Sequence, residues 1–297
     1  AINGAFGVWD WMYLDDEGKA AWGPAAEGAK DYLETMQNWY AEGLINTDWA
    51  TADFNQRMAE AVSDDCAVIM DSPDTMWGYW KEDNGIDFVA ALNPVLNKGD
   101  VSRQTYHNFK QTGSIAAITT QCENVEAACA FLDFAYTKKG WEIYNYGSYG
   151  DVHLIDENGL PYYHSESLMY NDPDNQPVSN LIWKYRIHDF ADIRDEHNSN
   201  PLIVAEGSYS GDIREYWTES MDSSVTMPPV TFTPEEAARE GEIGTVLSTM
   251  RNEYFSKIIM GQLPIDAYDE FLEQAKAQGA DELVSLYQTA LDRYNAR

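Results

Sequence analysis

Apolar residues recur every three or four positions in three stretches of the chain, which is the spacing of a helix that buries one face. These stretches are residues 24–42, 268–279 and 283–294. Gly43 and Gly279 stand at the ends of the first two, where a glycine commonly terminates a helix. The pattern therefore predicts a helix near the start of the chain and a helical C-terminal region.

Two further helices are indicated by their start signals. Thr233 and Glu236 have the spacing of a capping box, and Pro234 occupies the first helical position. Asn124 is placed to cap another helix, which is predicted to continue to the residues just before Gly140.

Two short segments on either side of an acidic turn that contains glycine predict a β-hairpin in residues 11–22 and another in residues 152–163. Gly18 and Gly159 supply the positive φ angle that such turns need. We expect both hairpins to lie on the protein surface.

Short continuous apolar runs are typical of strands buried on both faces. Three such runs are Cys66–Met70, Phe88–Leu92 and Ser114–Ile118. Cys66 is accordingly interpreted as a small buried thiol. Because these runs alternate with helices, the sequence predicts an α/β architecture. Between residues 163 and 229 the periodicity weakens, and no element is assigned there.

Composition narrows the functional classes. The chain has 297 residues and a net charge of −31, which repels the phosphates of nucleic acids and anionic lipid surfaces. No run of 18 apolar residues suggests a membrane span. Of the three cysteines, Cys122 and Cys129 are expected in one helix at about 10 Å spacing, too far apart to form a disulfide.

Several segments carry a resemblance to a known family. They are Asn38–Asn46, Phe54–Trp80, Gly113–Gly147, Thr233–Gly261 and Leu283–Asn295. In this order they resemble the bacterial extracellular solute-binding proteins of family 1, the substrate-binding lipoproteins of ABC carbohydrate transporters. The resemblance implies a helix-rich α/β fold of the periplasmic-binding-protein type II, represented mainly by its C-terminal lobe.

The resemblance also implies a domain organisation. Residues 1–112 would form the first part of the C-terminal lobe, and residues 148–297 its second part with the C-terminal helices. Residues 113–147 would belong to the N-terminal lobe and contain the hinge crossings. The family begins with an export signal and most of an N-terminal lobe, which this sequence does not show. We therefore expect residues 113–147, including Phe131, to pack less completely than the rest.

In function, the resemblance implies a binding protein that captures an oligosaccharide outside the membrane and delivers it to the membrane subunits of an ABC permease. It would be held at the cell surface by a lipid anchor outside this chain. No cofactor, metal ion or nucleic-acid partner is implied.

A sugar site needs flat aromatic faces beside hydrogen-bonding side chains. The aromatic loop of the family points to Trp77, Tyr79 and Trp80. Further candidates lie beside polar residues or the expected crossings, and they are Trp9, Trp11, Trp217, Tyr106, Asn108, Tyr149 and Asp151. For each of these, core or loop packing is the alternative interpretation. For Trp39 and Trp141, on helix faces, core packing is favoured.

Two other classes remain open at this point. One is a polysaccharide-processing enzyme with paired carboxylates, although no nucleophile-elbow, zincin or phosphate-loop motif is found. The other is a binding protein for peptides or metal complexes. Two acidic segments resemble metal sites only loosely and are interpreted as solvated loops; they contain His188, Asp192, Asp195 and His197, and Asp172, Asp174 and Asn175.

Overall fold

The computed structural model describes residues 2–61, 63, 66–70, 91–105, 116–174, 178–186, 217 and 221–297. The chain divides into two compact units. The first unit comprises Ala1–Arg57, Ala91–His107 and Trp217–Arg297, and the second comprises Met58–Ala90 and Asn108–Tyr216. The predicted segment 113–147 thus lies in the second unit together with the residues that follow it. Its assignment to a lobe of a longer protein stays a prediction.

In chain order, the described helices are α1 (Ile2–Ala5), α2 (Ala29–Ala41), α3 (Phe54–Ala61), α4 (Val125–Phe134), α5 (Lys138–Tyr146), α6 (Val178–Tyr185), α7 (Pro234–Ile259), α8 (Ala267–Ala277) and α9 (Ala280–Asn295). The described strands are β1 (Met12–Leu14), β2 (Ala20–Trp22), β3 (Ser102–Arg103), β4 (Leu154–Ile155), β5 (Pro161–Tyr162) and β6 (Met221–Asp222). They form the antiparallel pairs β1–β2 and β4–β5 and the parallel pair β3–β6.

The first unit is built around α7, which packs against α2, α8 and α9. Its core is formed by fully buried side chains from these helices, among them Leu33, Leu247, Ile258, Phe271 and Leu283. The three helices predicted from apolar periodicity are therefore confirmed. Gly43 has a φ of 74° after α2, as a helix-ending glycine requires.

The capping box at the start of α7 is also confirmed. The Oγ1 of Thr233 accepts a hydrogen bond from the Glu236 amide at 3.3 Å, and Glu236 Oε2 accepts one from the Thr233 amide at 2.8 Å. The Nη2 of Arg293, on α9, lies 2.6 Å from the same carboxylate oxygen. These contacts lower the pKa of Glu236, mainly through the hydrogen bond from Arg293. The cap therefore joins the two helices as well as starting one of them.

Replacing Thr233 by Ala is expected to lower the free energy of unfolding of the first unit by about 1 kcal/mol, because one amide at the helix start loses its acceptor. Chemical denaturation followed by circular dichroism measures this change. Thr249→Ala, in the middle of the same helix, is the matched control: its hydroxyl donates back to the Thr245 carbonyl, so no loss is expected, only a gain of up to about 0.5 kcal/mol from the helix propensity of alanine. Equal losses in the two variants would contradict the role of the cap.

The first hairpin forms as predicted, with Gly18 at a φ of 73°, but its predicted surface location is wrong. Met12 and Trp22 are buried, because β2 packs against α9. The amide of Ala20 donates to Gln288 Oε1 at 2.9 Å. The hairpin therefore belongs to the core of the first unit.

The second unit has a smaller core, formed by Tyr146, Val152, Tyr163, Met169 and Leu181. The hairpin β4–β5 is flanked by the core residues Val152 and Tyr163, and its turn contains Gly159 at a φ of 81°. Ile155 and Leu160 are exposed, in agreement with the expected surface position of this hairpin.

One predicted helix is divided into two. Asn124 caps α4 as expected, by accepting a hydrogen bond from the Ala127 amide at 3.0 Å. However, α4 ends at Phe134, and Thr137 caps α5 by accepting a hydrogen bond from the Gly140 amide. Cys122 precedes α4, so it does not share a helix with Cys129 as predicted.

The expected incomplete packing of residues 113–147 holds for α4 but not for α5. Helix α4 has no buried residue, and Phe131 is 62% exposed. By contrast, α5 buries Tyr144 and Tyr146, and Trp141 packs against the core of the second unit. In the first unit, Trp39 is 37% exposed, so its predicted core position is wrong.

The predicted buried strands are wrong wherever they are described. Residues 66–70 form no strand, Val68 is 77% exposed, and Cys66 is half-buried. Residues 91–92 and 116–118 likewise carry no strand, and the remainder of those two runs lies outside the described residues. Within the described part of the chain these runs have no sheet partner that would bury them. Among the described helices, none is long and apolar enough to cross a lipid bilayer.

Candidate functional site

The predicted ligand-binding residues fall into three groups. Those outside the described residues are Trp77, Tyr79, Trp80, Tyr106 and Asn108. Those in the first unit are Trp9, Trp11 and Trp217, and those in the second unit are Tyr149 and Asp151.

Trp9 is almost entirely buried, with 4% of its surface exposed. Its ring stacks on Tyr13 at a centroid distance of 3.9 Å, and its Nε1 donates to the Arg103 carbonyl at 3.3 Å. Burial is also the main cause that raises the pKa of Tyr13. Trp9 therefore has little ring surface left for a ligand in this structure.

Trp11 is half-buried and engaged in packing. Its Nε1 donates to the Tyr287 hydroxyl at 3.0 Å, and that hydroxyl donates to Glu240 Oε1 at 3.0 Å. Burial raises the pKa of Tyr287 to about 12. A Cβ atom on Gly244 would lie 3.3 Å from the Trp11 ring, so the indole rests directly on α7. These contacts connect the first hairpin to α7 and α9.

Trp217 is half-buried, and its Nε1 donates to the Ala91 carbonyl at 2.7 Å. Its indole nitrogen is therefore already used within the first unit.

The second unit contains an exposed turn that includes both of the remaining candidates. We call residues 148–153 the Tyr149 turn. It follows Gly147, which ends α5 at a φ of 85°. Residues 148–151 are all exposed, and Tyr149 is 63% exposed. The turn presents a hydroxyl, an aromatic ring and a carboxylate to solvent, on Ser148, Tyr149 and Asp151.

The Tyr149 turn is fixed by backbone hydrogen bonds, three within the turn and one from Leu168. The amides of Val152 and His153 donate to the Ser148 carbonyl at 3.1 and 3.3 Å, and the Gly150 amide donates to the His153 carbonyl at 2.8 Å. The carbonyl of Asp151 accepts a hydrogen bond from the Leu168 amide at 2.9 Å. Four backbone hydrogen bonds thus fix the turn that carries Tyr149.

The last residue of this turn is a buried histidine. His153 is completely buried, and its Nε2 lies 2.9 Å from Glu142 Oε1 on α5. Because a carboxylate only accepts hydrogen bonds, Nε2 carries the proton in this contact. The imidazole also meets the rings of Tyr146 and Tyr149 at centroid distances of 5.7 and 5.8 Å.

The acidic pair Asp172 and Asp174 lies in a loop as expected, and the Asp174 side chain is 67% exposed, but Asp172 is turned inward and paired. Lys184 Nζ lies 2.5 Å from Asp172 Oδ1 and 2.7 Å from Asp174 Oδ2, and the Tyr185 hydroxyl donates to Asp172. The side chain of Asp172 is only 2% exposed. The hydrogen bond to Asp172 is the main cause that raises the pKa of Lys184.

No group of three or more His, Cys, Asp or Glu residues in the described part of the chain is arranged to hold a metal ion. The second acidic cluster, from His188 to His197, and Asn175 lie outside the described residues.

Comparison with known proteins identifies the fold. No protein-family model matches the sequence, and no curated protein matches it significantly. Solved structures do match: the alginate-binding protein AlgQ2 without calcium ion has 19% identity over 98% of this chain, with a TM-score of 0.69. The chain has a periplasmic-binding-protein-like fold.

Two further structures with this fold are similar to the chain at comparable levels. One is an EF-hand mutant of the S. pneumoniae ABC-transporter substrate-binding protein FusA in complex with fructo-nystose, with 17% identity over 99% of this chain and a TM-score of 0.69. The other is an HMO-binding, ABC-transporter-associated solute-binding protein from Bifidobacterium longum infantis, with 15% identity over 99% and a TM-score of 0.67.

This chain spans about three fifths of the length of each of these proteins, namely 61%, 60% and 61%. The predicted fold class is therefore confirmed, and the similar structures are binding proteins rather than enzymes. The assignment of individual ligand-binding residues stays a prediction.

Sequence reasoning did not single out Glu142 or His153. The sequence pattern that points to them is weak: His153 follows Gly147 and Gly150, and Tyr149 lies between these two glycines. Both glycines adopt positive φ angles, of 85° and 91°, and this indicates a sharply shaped turn. The partner Glu142 lies one helix earlier, and no sequence spacing marks it.

Proposed function

We propose that this chain is part of the substrate-binding component of an ABC transporter and that it binds an oligosaccharide. The observation that carries the proposal is the match of 98–99% of the chain to binding proteins described as binding alginate, fructo-nystose or HMO. The sequence segments that resemble family 1 of the extracellular solute-binding proteins agree with this proposal.

The proposal includes the place and partner of the protein. It would act outside the membrane, held by a lipid anchor beyond this chain, and deliver its ligand to the permease subunits. A ligand shifts a binding protein between open and closed states only if it binds one state better. In this class that difference comes from stacking and hydrogen bonds completed on closure.

The aromatic content, the Tyr149 turn and the net charge of the chain suit a neutral oligosaccharide. Aromatic residues make up 13% of the sequence, and Tyr149 is exposed beside a hydroxyl and a carboxylate. A net charge of −31 disfavours polyanionic ligands, since their approach to the protein is electrostatically opposed. We therefore expect neutral oligosaccharides to bind better than uronate oligomers of equal length.

Titration calorimetry of the full-length gene product tests this proposal. The ligands are kestose, nystose, maltotetraose, xylotetraose and an alginate tetramer, with a tetrapeptide and calcium and zinc salts as comparisons. We expect heat of binding from at least one neutral oligosaccharide and no release of smaller sugars on prolonged incubation. Binding of only the peptide or a metal ion, or cleavage of a sugar, would refute the proposed function.

Trp77 and Trp80 remain the main candidates for stacking platforms from the family resemblance. Replacing either by Ala in the full-length product is expected to weaken oligosaccharide binding by roughly 1–3 kcal/mol, on the scale of base–aromatic stacking. The free energy of unfolding should fall by less than the 3–5 kcal/mol typical of removing a core aromatic. Unchanged affinity with a large loss of stability would instead assign both residues to the core.

A further inference from the structure

The Tyr149 turn carries an exposed aromatic ring on a backbone that is fixed by hydrogen bonds. A large apolar ring left 63% exposed gains little from its own packing, whereas a flat face beside polar groups is what a sugar ring binds. The rings of Tyr149 and His153 meet at 80°, edge to face. At least one face of the Tyr149 ring is therefore directed away from His153.

The backbone of the turn has little freedom to move. A Cβ atom at Gly147 would lie 2.4 Å from the Tyr185 carbonyl oxygen, so the start of the turn is pressed against α6. Val152, near its end, is buried in the core of the second unit. A binding group held by a rigid backbone loses less conformational entropy when its ligand binds.

The side chain of Tyr149 is supported through His153 and Glu142. The Glu142 carboxylate accepts a hydrogen bond from Nε2–H of His153 and so fixes the orientation of the imidazole, whose ring contacts Tyr149. Glu142 is anchored on α5 and its side chain is 21% exposed. Without the Glu142 carboxylate, the buried Nε2–H of His153 would lose its hydrogen-bond acceptor. The imidazole that contacts the Tyr149 ring would then no longer be held in one orientation.

We propose that the Tyr149 turn is an oligosaccharide subsite of the second unit, in which Tyr149 stacks on a sugar ring and Ser148 and Asp151 bind its hydroxyl groups. Glu142 and His153 are positioning residues, which act on the ligand only through Tyr149. This inference rests on the proposed function, because it names the place where the same ligand is held.

The test uses the full-length gene product and the neutral oligosaccharide of the calorimetry panel that binds most tightly. Tyr149→Ala is expected to weaken binding roughly 5- to 150-fold, on the scale of aromatic stacking with a ligand ring. Tyr149→Phe keeps the ring and should bind within about threefold of the unmodified protein. Because Tyr149 is exposed, thermal unfolding should be unchanged in both variants.

Glu142 is tested by a matched pair and a double variant. Glu142→Ala is expected to weaken oligosaccharide binding about threefold or more. Glu142→Gln retains an acceptor oxygen and should bind the oligosaccharide as tightly as the unmodified protein. In a Tyr149→Ala background, Glu142→Ala should cause no further loss, since its effect passes through the missing ring. A purely structural role would give neither the rescue nor this non-additivity.

The outcomes separate the two proposals. If the unmodified protein binds an oligosaccharide and Tyr149→Ala binds equally well, the subsite is refuted while the proposed function stands. Full additivity of the two alanine substitutions would refute the positioning role. If no oligosaccharide of the panel binds, the proposed function fails and the subsite fails with it.

Discussion

Replacing Phe271 by Ala is expected to lower the free energy of unfolding of the first unit by about 3–5 kcal/mol, the usual cost of deleting a fully buried phenyl ring. Phe271 is completely buried on α8. Its ring lies within 5.5–6.0 Å, between centroids, of the rings of Trp22, Tyr254, Phe255 and Tyr268. These four rings come from three elements, so the cavity cannot be closed by moving one helix.

Denaturant unfolding together with hydrogen exchange of the α8 amides measures this loss in the first unit. The control is the same substitution at Phe131, on α4 of the second unit, whose side chain is 62% exposed. We expect that variant to lose less than about 1 kcal/mol. Similar effects of the two substitutions would show that the aromatic cluster around Phe271 is not a close-packed core.

Gly140→Ala is expected to destabilise the second unit by roughly 3 kcal/mol or more, since the added methyl group forces the backbone apart. A Cβ atom at Gly140 would lie 1.7 Å from the Phe134 carbonyl oxygen and 3.1 Å from the Ala135 Cα. The clash is with backbone at the corner between α4 and α5, where no side chain can rotate away. The intrinsic preference of alanine for helices, about 1 kcal/mol, is too small to compensate.

The matched control for this substitution is Gly241→Ala in α7. Gly241 also lies inside a helix, but a Cβ atom there meets nothing within 4 Å. This variant is expected to gain about 0.5–1 kcal/mol, so the same chemical change should have opposite signs at the two positions. Hydrogen exchange of the α5 and α7 amides distinguishes the two units. Unchanged protection of α5 in Gly140→Ala would disprove the predicted clash.

Much of the helical structure could be predicted because its signals are local. The Thr233 capping box, the Gly43 terminus and the turn glycines Gly18 and Gly159 depend on residues a few positions apart. The predictions of buried strands were wrong because strand formation depends on residues far away in the sequence. Residues 66–70 are apolar enough for a buried strand, but burial needs a partner from elsewhere in the chain, and Val68 is exposed instead.

The exposed residues of the candidate site could not be selected from the sequence for the same reason. Trp9 and Tyr149 were indistinguishable in sequence, since each is an aromatic residue close to polar neighbours and glycine. Trp9 is nearly covered by contacts with Tyr13 and Arg103, whereas Tyr149 is exposed on a turn. One of these contacts comes from Arg103, which is 94 positions away from Trp9 along the chain. No local pattern contains that information.

In the first unit, the first hairpin packs against α9 although the two elements are far apart in the sequence. Trp11 bonds to Tyr287 and Ala20 to Gln288, across separations of 276 and 268 residues. At a translation rate of ~5–20 residues per second, the first hairpin waits roughly 15–50 s for α9 to be synthesised. During this interval Trp22 lacks both α9, against which β2 packs, and the Phe271 ring, so the nascent chain exposes apolar surface that chaperones can bind until α9 has been synthesised.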